Sequence, residues 1–174
     1  MSNTKKGLVA LTAAAALMGA PSHLDGQESG QALANPTDAS AMALELEVRA
    51  EDLSKGTRWK AAAEMYRRAA DLRGEGDIKS ADNLRVAGYI HYYEGGFQTA
   101  VTTLRRAGEA YLALGDVERA AEAFIDGAWV AGRSGMLSEA LTLRERGLLL
   151  TRSPLLDTQN RTALVQRLSR VPLG

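Results

Sequence analysis

The sequence contains no cysteine among its 174 residues. This absence excludes disulfides, thiolate metal sites, a cysteine nucleophile and a lipidated cysteine. Aromatic residues make up only 5% of the chain and there are four prolines, although 45% of the residues are hydrophobic. Alanine supplies much of the apolar share, and alanine favours helices while filling little space in a core. The composition therefore predicts an all-α protein whose helices pack closely.

A net charge of either sign is also lacking. The 21 Lys and Arg residues balance 21 Asp and Glu residues. If residues 1–22 are removed, Lys5 and Lys6 leave with them, so 19 basic and 21 acidic residues remain and the net charge is −2 (19 − 21). A chain without a net basic field is not expected to bind nucleic acid. Its length suits one domain with a modest core.

The N-terminus has the pattern of a secretory signal. Lys5 and Lys6 precede a 14-residue apolar run at Gly7–Ala20, which is short for a membrane span. Small residues after the run suggest cleavage behind Ser22, and residues 32–34 are a poorer cleavage site because they lie far beyond the run. We therefore expect export to the periplasm or the medium, with membrane contact only if the segment stays uncleaved. The alternative is an uncleaved anchor or an ordinary helix.

Residues 23–37 form the next segment. They are rich in Gly, Gln and Ser and have few large apolar groups, so burial would offset little of the entropy lost on ordering. We predict a flexible leader between the signal at residues 1–22 and the folded part of the chain.

The rest of the chain repeats a pattern of alternating bulky and small residues. A bulky residue is followed by Ala three positions later, by a large residue after four more, and by a small residue after another three. The copies are Trp59-Ala62-Tyr66-Ala69, Ile78-Ala81-Arg85-Gly88, Phe97-Ala100-Leu104-Ala107, Val117-Ala120-Phe124-Gly127 and Leu137-Ala140-Arg144-Gly147. Successive copies begin 19, 19, 20 and 20 residues apart. This spacing places each set on one helix face, where small residues allow close approach and bulky ones fill the gaps, so the helices must stack to bury their stripes.

Glycine-containing turns separate the copies and set the helix boundaries. Glycine favours the left-handed conformation after a helix, and a following Asp caps the next helix. Predicted helices cover residues 38–54, 58–73, 78–94, 97–114, 117–133, 137–151 and 157–170. The short turns make neighbouring helices antiparallel. In the last helix, Arg161, Arg167 and Arg170 are expected to face solvent, as in a terminal cap.

These paired helices resemble the tetratricopeptide repeat (TPR) family. The matching positions are Leu46, Ala50, Leu53, Trp59, Ala62, Tyr66 and Ala69 in the first pair, Leu84, Gly88, Phe97, Ala100, Leu104 and Ala107 in the second, and Phe124, Ala128, Gly135, Leu137, Ala140 and Gly147 in the third. The repeat runs 38–40 residues rather than 34 and lacks the usual terminal Pro, which is similar to the long TPR variants of kinesin light chains and soluble NSF attachment proteins. The resemblance implies a right-handed α-solenoid of six to seven antiparallel helices. Repeats would span residues 38–154, and a capping helix and tail residues 155–174.

The resemblance also implies a protein-binding function. TPR proteins usually bind peptides on a concave face lined by the first helix of each pair. If helices one, three and five are those first helices, the face receives Glu47, Glu51, Asp82, Arg85, Tyr89, Tyr92, Glu122, Asp126 and Trp129. The tyrosines and the tryptophan either anchor a ligand or pack between helices. The Lys/Asn carboxylate clamp of TPR co-chaperones is not present, since Tyr89 and Trp129 occupy the Asn position.

A second pairing register remains open. Helices two–three, four–five and six–seven fit the family pattern equally well at Leu104, Gly108, Tyr111, Ala120 and Phe124. The fold is the same in both registers, but the binding face differs.

Other residues give no pattern of an active site. His91 is a lone histidine in its helix, and one histidine does not make a zinc site. Glu45, Glu47, Glu51 and Asp52 have the spacing of a solvated helix face rather than of an acid–base pair. We expect no enzyme, cofactor or metal. The hypotheses are an exported adaptor that holds a peptide or envelope protein, a scaffold that self-associates through its end helices, and an envelope enzyme without a recognisable motif.

Overall fold

The computed structural model describes residues 36–173, so the predicted signal and most of the predicted leader lie outside the described residues. Within this range the chain is all-α and has no strand. The seven helices are α1 (Pro36–Lys55), α2 (Trp59–Arg73), α3 (Ile78–Tyr93), α4 (Phe97–Ala113), α5 (Val117–Arg133), α6 (Leu137–Leu150) and α7 (Thr158–Ser169). Every boundary lies within two residues of its prediction.

The helices pack in chain order. Each of α1 to α5 packs against the helix that follows it, and α7 packs against both α5 and α6. Side chains also link alternate helices: Glu47 of α1 bonds Asn83 of α3, and Asp71 of α2 pairs with Arg106 of α4. These links define an odd row (α1, α3, α5) and an even row (α2, α4, α6).

Alanines of the repeat pattern lie fully in the core, as their spacing predicts. Ala62, Ala100, Ala120 and Ala140 have no exposed surface. Among the large residues, Leu104 (0% exposed) and Phe124 (1% exposed) fill the space between helices.

The first bulky position of the pattern behaves differently from the prediction. Trp59, Phe97 and Leu137 are 41%, 42% and 44% exposed at this position, whereas Ile78 and Val117 are partly buried against the core. Trp59 and Phe97 are the first residues of α2 and α4, so they lie at the end of the bundle, where fewer side chains surround them.

Glycines inside the helices bring neighbouring helices together. A Cβ atom at Gly88 would lie 2.7 Å from Leu104 Cγ, and one at Gly108 would lie 2.8 Å from Phe124 Cε1. Both distances are too short for real carbon contacts. The packing of α3 on α4 and of α4 on α5 therefore requires these positions to remain without a side chain.

The turns follow the predicted chemistry with one exception. Gly74, Gly95, Gly115 and Gly135 have φ between 75° and 78°, and Asp77, Asp116 and Asp157 each accept a hydrogen bond from a backbone N–H in the first turn of the following helix. In the first turn the left-handed residue is Thr57 (φ 61°) rather than Gly56.

The C-terminal helix corrects one expectation, since Arg161 and Arg167 do not simply face solvent. Arg161 Nη2 donates to the carbonyl oxygens of Ser153 and Leu156, each at 3.1 Å. Arg167 forms ion pairs with α5 that are described below, and only Arg170 is exposed as predicted.

The tail after α7 folds back over α5. Val171 is buried, and Pro172 lies so close to Gly132 that a Cβ atom there would overlap the proline carbonyl. Among residues 36–173, no helix combines the length and the hydropathy needed to cross a membrane.

A glycine substitution tests the close helix packing. We expect Gly108→Ala to lower the free energy of unfolding by about 1–2 kcal/mol, because the added methyl overlaps Phe124 while the gain in helix propensity offsets only part of that strain. Urea unfolding followed by circular dichroism measures the change. Gly76→Ala is the matched control, since nothing lies within 4 Å of its Cβ position. Equal stability of the two variants would contradict the packing argument.

Candidate functional site

All nine predicted groove residues lie on the odd row. α1 supplies Glu47 and Glu51, and α3 and α5 supply the others. The structure gathers most of them into three clusters of paired side chains, which are described in turn below.

The first cluster joins three helices through charge. Arg85 of α3 pairs with Glu122 (2.7 Å) and Asp126 (2.9 Å) of α5, and Arg167 of α7 pairs with Glu122 (2.9 Å) and with Asp126. Each carboxylate thus contacts both arginines. The Asp126 side chain is only 7% exposed. The two arginines offset the desolvation cost of burying its negative charge. We call these four residues the α3–α5–α7 ion cluster.

Tyr89 lies beside this cluster. Burial raises the pKa of Tyr89 to about 12, and the neighbouring Asp126 carboxylate adds to the effect. Both effects stabilise the protonated form of the phenol, which a tyrosine already holds at neutral pH.

The second cluster is aromatic and lies where α3 and α5 end. The Tyr92 ring meets the Trp129 ring edge to face at 5.4 Å between centroids, and it also contacts Tyr93 and Phe97. Tyr92 is partly buried by these neighbours, whereas Trp129 is 37% exposed and Tyr93 79% exposed. Tyr92 is thus a packing residue, and the accessible aromatic surface belongs to Tyr93, Phe97 and Trp129. Tyr93 was not among the predicted residues, and its only signal was its position next to Tyr92.

The third cluster ties α1 to α2 and α3. Glu47 accepts two hydrogen bonds from Arg73, at 2.7 and 3.0 Å, and one from Asn83 at 2.6 Å. Burial opposes ionisation of Glu47, but these hydrogen bonds outweigh it and hold its pKa below the ordinary value. Glu47 therefore stabilises the fold rather than offering a free carboxylate.

The last two predicted residues differ in their surroundings. Asp82 accepts a hydrogen bond from the Tyr111 hydroxyl at 2.6 Å and pairs with Arg119 at 3.3 Å. Glu51 is exposed and has no ion pair within the described residues.

Aliphatic side chains that the prediction did not include lie exposed on the odd row. On α1, Leu44 and Val48 are 57% and 53% exposed, and on α3, Val86 is 42% exposed. Leu44 and Val48 are four residues apart and therefore share one side of α1, and Val86 and Tyr93 are seven apart and share one side of α3. We call these four residues the exposed stripe. Their helical spacing can be seen in the sequence, but a search for polar and aromatic binding residues does not select the three aliphatic ones.

His91 sits on α3 with an unsatisfied ring atom. Its Nε2 is buried and finds no hydrogen-bond partner among the described residues. Burial lowers the pKa of His91, and Arg67 adds to this effect while Glu64 opposes it. Residues 36–173 contain no group of three or more potential ligand side chains arranged to hold a metal ion.

A cavity of about 370 Å³ lies between α2, α3 and α4. Its apolar wall includes Leu84 and Ala110, and Asp71, Glu75, Arg106 and Glu109 line its remaining surface. Asp71 is paired with Arg106, and Glu109 with Arg146 of α6.

Comparison with protein-family models and with curated proteins finds no match for this chain. Its function must therefore be argued from its own side chains.

A substitution in α7 tests the ion cluster. We expect Arg167→Met to lower the free energy of unfolding by about 1–3 kcal/mol, because both carboxylates lose one of their two arginines. Urea unfolding measures the loss, and hydrogen exchange should become faster at the α7 amides. Arg170→Met is the control, because Arg170 is exposed and has no ion pair within residues 36–173. Unchanged exchange in α7 would show that apolar contacts alone hold this helix.

A pH series tests His91. The pKa of His91 in the folded state lies below its ordinary 6.5, so the unfolded chain takes up the proton first on acidification. The stabilisation by neutral His91 is complete above 6.5 and is lost as the pH falls through the folded value. We expect the native protein to lose more stability than His91→Gln between about pH 7.5 and 5. His23→Gln is the control, and the same slope in native protein and His91→Gln would contradict this account.

Proposed function

We propose that the protein is an exported, TPR-like adaptor that binds a segment of another protein on its odd row. Packing of consecutive helices, together with side-chain links between alternate helices, supports a solenoid arrangement. The lysines and the apolar run before residue 22 support export.

The observation that carries the proposal is the exposed stripe together with Trp129. Five apolar or aromatic side chains, each between 37% and 79% exposed, lie on the odd row. The even row also exposes apolar side chains, so the odd row is distinguished by the polar clusters that lie between its helices. The polar clusters between them hold α1, α3 and α5 at fixed distances, so a ligand would meet a preformed surface and lose little affinity to reorganisation.

Self-association is the second candidate function, because both end helices expose apolar side chains. Met42 of α1 is 52% exposed, and Val165 of α7 is 46% exposed. Burial of such side chains between copies of the chain would favour contacts through the end helices.

Crosslinking in native cells tests the adaptor. The full chain is compared with Leu44→Ser/Val48→Ser/Val86→Ser, which removes apolar surface without touching the paired clusters. The control is Leu112→Ser/Leu149→Ser, since these exposed residues lie on the even row at α4 and α6. We expect a partner that the native chain and the control retain and that the odd-row variant loses by about tenfold or more.

The other outcomes of this experiment are equally informative. A partner that all three chains retain would place the binding surface elsewhere and contradict the proposed site. Crosslinks only between copies of the chain would favour self-association. Fractionation of the same cells tests export, and an intact N-terminus in the cytosol would contradict that part of the proposal.

A further inference from the structure

We propose that one end of the helix bundle binds the surface of an anionic phospholipid bilayer. At this end α1, α3 and α5 finish and α2, α4 and α6 begin, and we call it the aromatic end. The contact goes beyond the proposed function, because its ligand is a lipid surface and because Leu44, Val48 and Val86 of the odd row take no part in it. It also differs from the membrane contact that the sequence leads us to expect of residues 1–22.

The exposed aromatic side chains of the chain lie at this end. There are two Trp, five Tyr and two Phe residues, and only four of these nine are at least 37% exposed. Trp59 and Phe97 are the first residues of α2 and α4. Tyr93 is the last residue of α3, and Trp129 lies one turn before the end of α5. Trp and Tyr are typical of membrane–water interfaces, because the ring contacts apolar groups while its polar atom reaches water.

Two shallow depressions link the turns that carry these aromatic residues. The first, of about 490 Å³, is lined by Trp59 and by Glu94 of the turn before α4. The second, of about 400 Å³, is lined by Phe97 and by Met136 of the turn before α6. The Tyr92 ring contacts aromatic rings from α3, α4 and α5. The aromatic end is therefore a continuous surface across three successive turns, as contact with a planar bilayer requires.

Basic side chains lie at the same level as the aromatic ones. The aromatic end consists of four ranges, the last of which lies beside α5 because Pro172 contacts Gly132. The ranges are residues 52–62, 90–100, 130–140 and 170–173. They contain five Lys and Arg residues against three Asp and Glu residues, so their net charge is +2 (5 − 3). All five cations are exposed, and they are Lys55, Arg58, Lys60, Arg133 and Arg170. Exposed cations beside exposed aromatic rings fit anionic headgroups that cover an apolar layer.

The opposite end of the bundle has different chemistry. Its corresponding ranges are residues 36–39, 70–81, 110–120 and 147–161. They contain five basic and seven acidic residues, so their net charge is −2 (5 − 7). Their exposed large apolar side chains are all leucines, namely Leu112, Leu149 and Leu155. The repeat positions held by Trp59 and Phe97 at the aromatic end are held here by Ile78 and Val117, which are partly buried. An anionic bilayer is therefore expected to contact the aromatic end and not the opposite one.

Tryptophan fluorescence tests the contact without a label, because both tryptophans of the chain lie at the aromatic end. The purified full chain is mixed with vesicles of phosphatidylcholine containing about 30% phosphatidylglycerol, with and without bromine on the acyl chains. We expect the emission of Trp59 and Trp129 to move to shorter wavelengths and to be quenched about twofold or more by the brominated lipid. Trp59→Phe/Trp129→Phe/Leu155→Trp is the control, because it moves the indole to the opposite end, where no quenching is expected.

A matched pair of charge reversals tests the role of the cations and leaves both tryptophans in place. We expect Arg58→Glu/Lys60→Glu to weaken vesicle binding by about tenfold or more, since each cation near an anionic surface contributes on the order of 1 kcal/mol. Lys79→Glu/Arg152→Glu changes the net charge by the same amount at the opposite end and should leave binding unchanged. All four residues are exposed and have no ion pair within residues 36–173. Vesicles of phosphatidylcholine alone should bind the native chain about tenfold or more weakly.

Three results would overturn the inference: no quenching of either tryptophan, equal binding by the two charge-reversed variants, or equal quenching of the indole introduced by Leu155→Trp. The last result would indicate that the chain meets the bilayer through residues 1–22 or without a preferred end. If lipid leaves the tryptophans unquenched while Trp59→Ser/Phe97→Ser loses a crosslinked partner, the aromatic end binds a protein and the lipid contact is wrong. The adaptor function is tested separately by the odd-row variant, which leaves the aromatic end intact.

Discussion

Leu104 of α4 packs between Gly88 of α3 and Gly127 of α5, where a Cβ atom would meet its side chain at 2.7 and 3.5 Å. Phe124 of α5 packs in the same way against Gly108 of α4. Each contact places a bulky residue where its neighbour has no side chain, so the backbones approach closely and dispersion contacts are dense. The other features of the molecule depend on this spacing, since the charged and aromatic groups of the odd row meet only when the helices are this close.

The two rows differ in how their polar groups are held. On the odd row, Asp126 and Asn83 are buried and each bonds a group on a different helix. On the even row, the pairs Asp71–Arg106 and Glu109–Arg146 are between 42% and 56% exposed, and such pairs contribute little to stability. Buried polar groups of this kind fix the distances between α1, α3 and α5 more firmly than exposed pairs do, although the Asp82–Arg119 pair of the odd row is itself 45% and 41% exposed.

The sequence predicts the helices well because their signals are local. Stripes of alanine and glycine, turn glycines and capping aspartates all act within a few residues, and the boundaries agree within two residues. The prediction that Arg167 faces solvent was wrong. Its partners Glu122 and Asp126 lie 45 and 41 residues away in sequence, and helical periodicity relates only residues within one helix. The placement of Glu47 and Arg85 on the odd row was predictable from spacing, but their pairing with Arg73 and with the ion cluster was not.

Trp59 and Phe97 show a second limit of pattern reasoning. Their positions relative to the alanines are correct, yet whether a bulky residue is buried depends on how far the neighbouring helices extend at that level. The exposed stripe of Leu44, Val48, Val86 and Tyr93 shows the converse case, in which the burial expected from the pattern is not found. Aliphatic residues at helical spacing are normally interpreted as core, and only the three-dimensional arrangement shows that Leu44, Val48 and Val86 remain between 42% and 57% exposed.

Packing in chain order has a kinetic consequence. Contacts between consecutive helices close short loops, and proteins dominated by such contacts fold rapidly because little chain entropy is lost before each contact forms. When a polypeptide emerges N-terminus first, from a ribosome or from an export channel, α1 can pack on α2 and α3 on α4 before α7 has emerged. The bonds from Arg167 to α5 form only after the last helix is present, so they complete a folding process that proceeds from the N-terminus to the C-terminus.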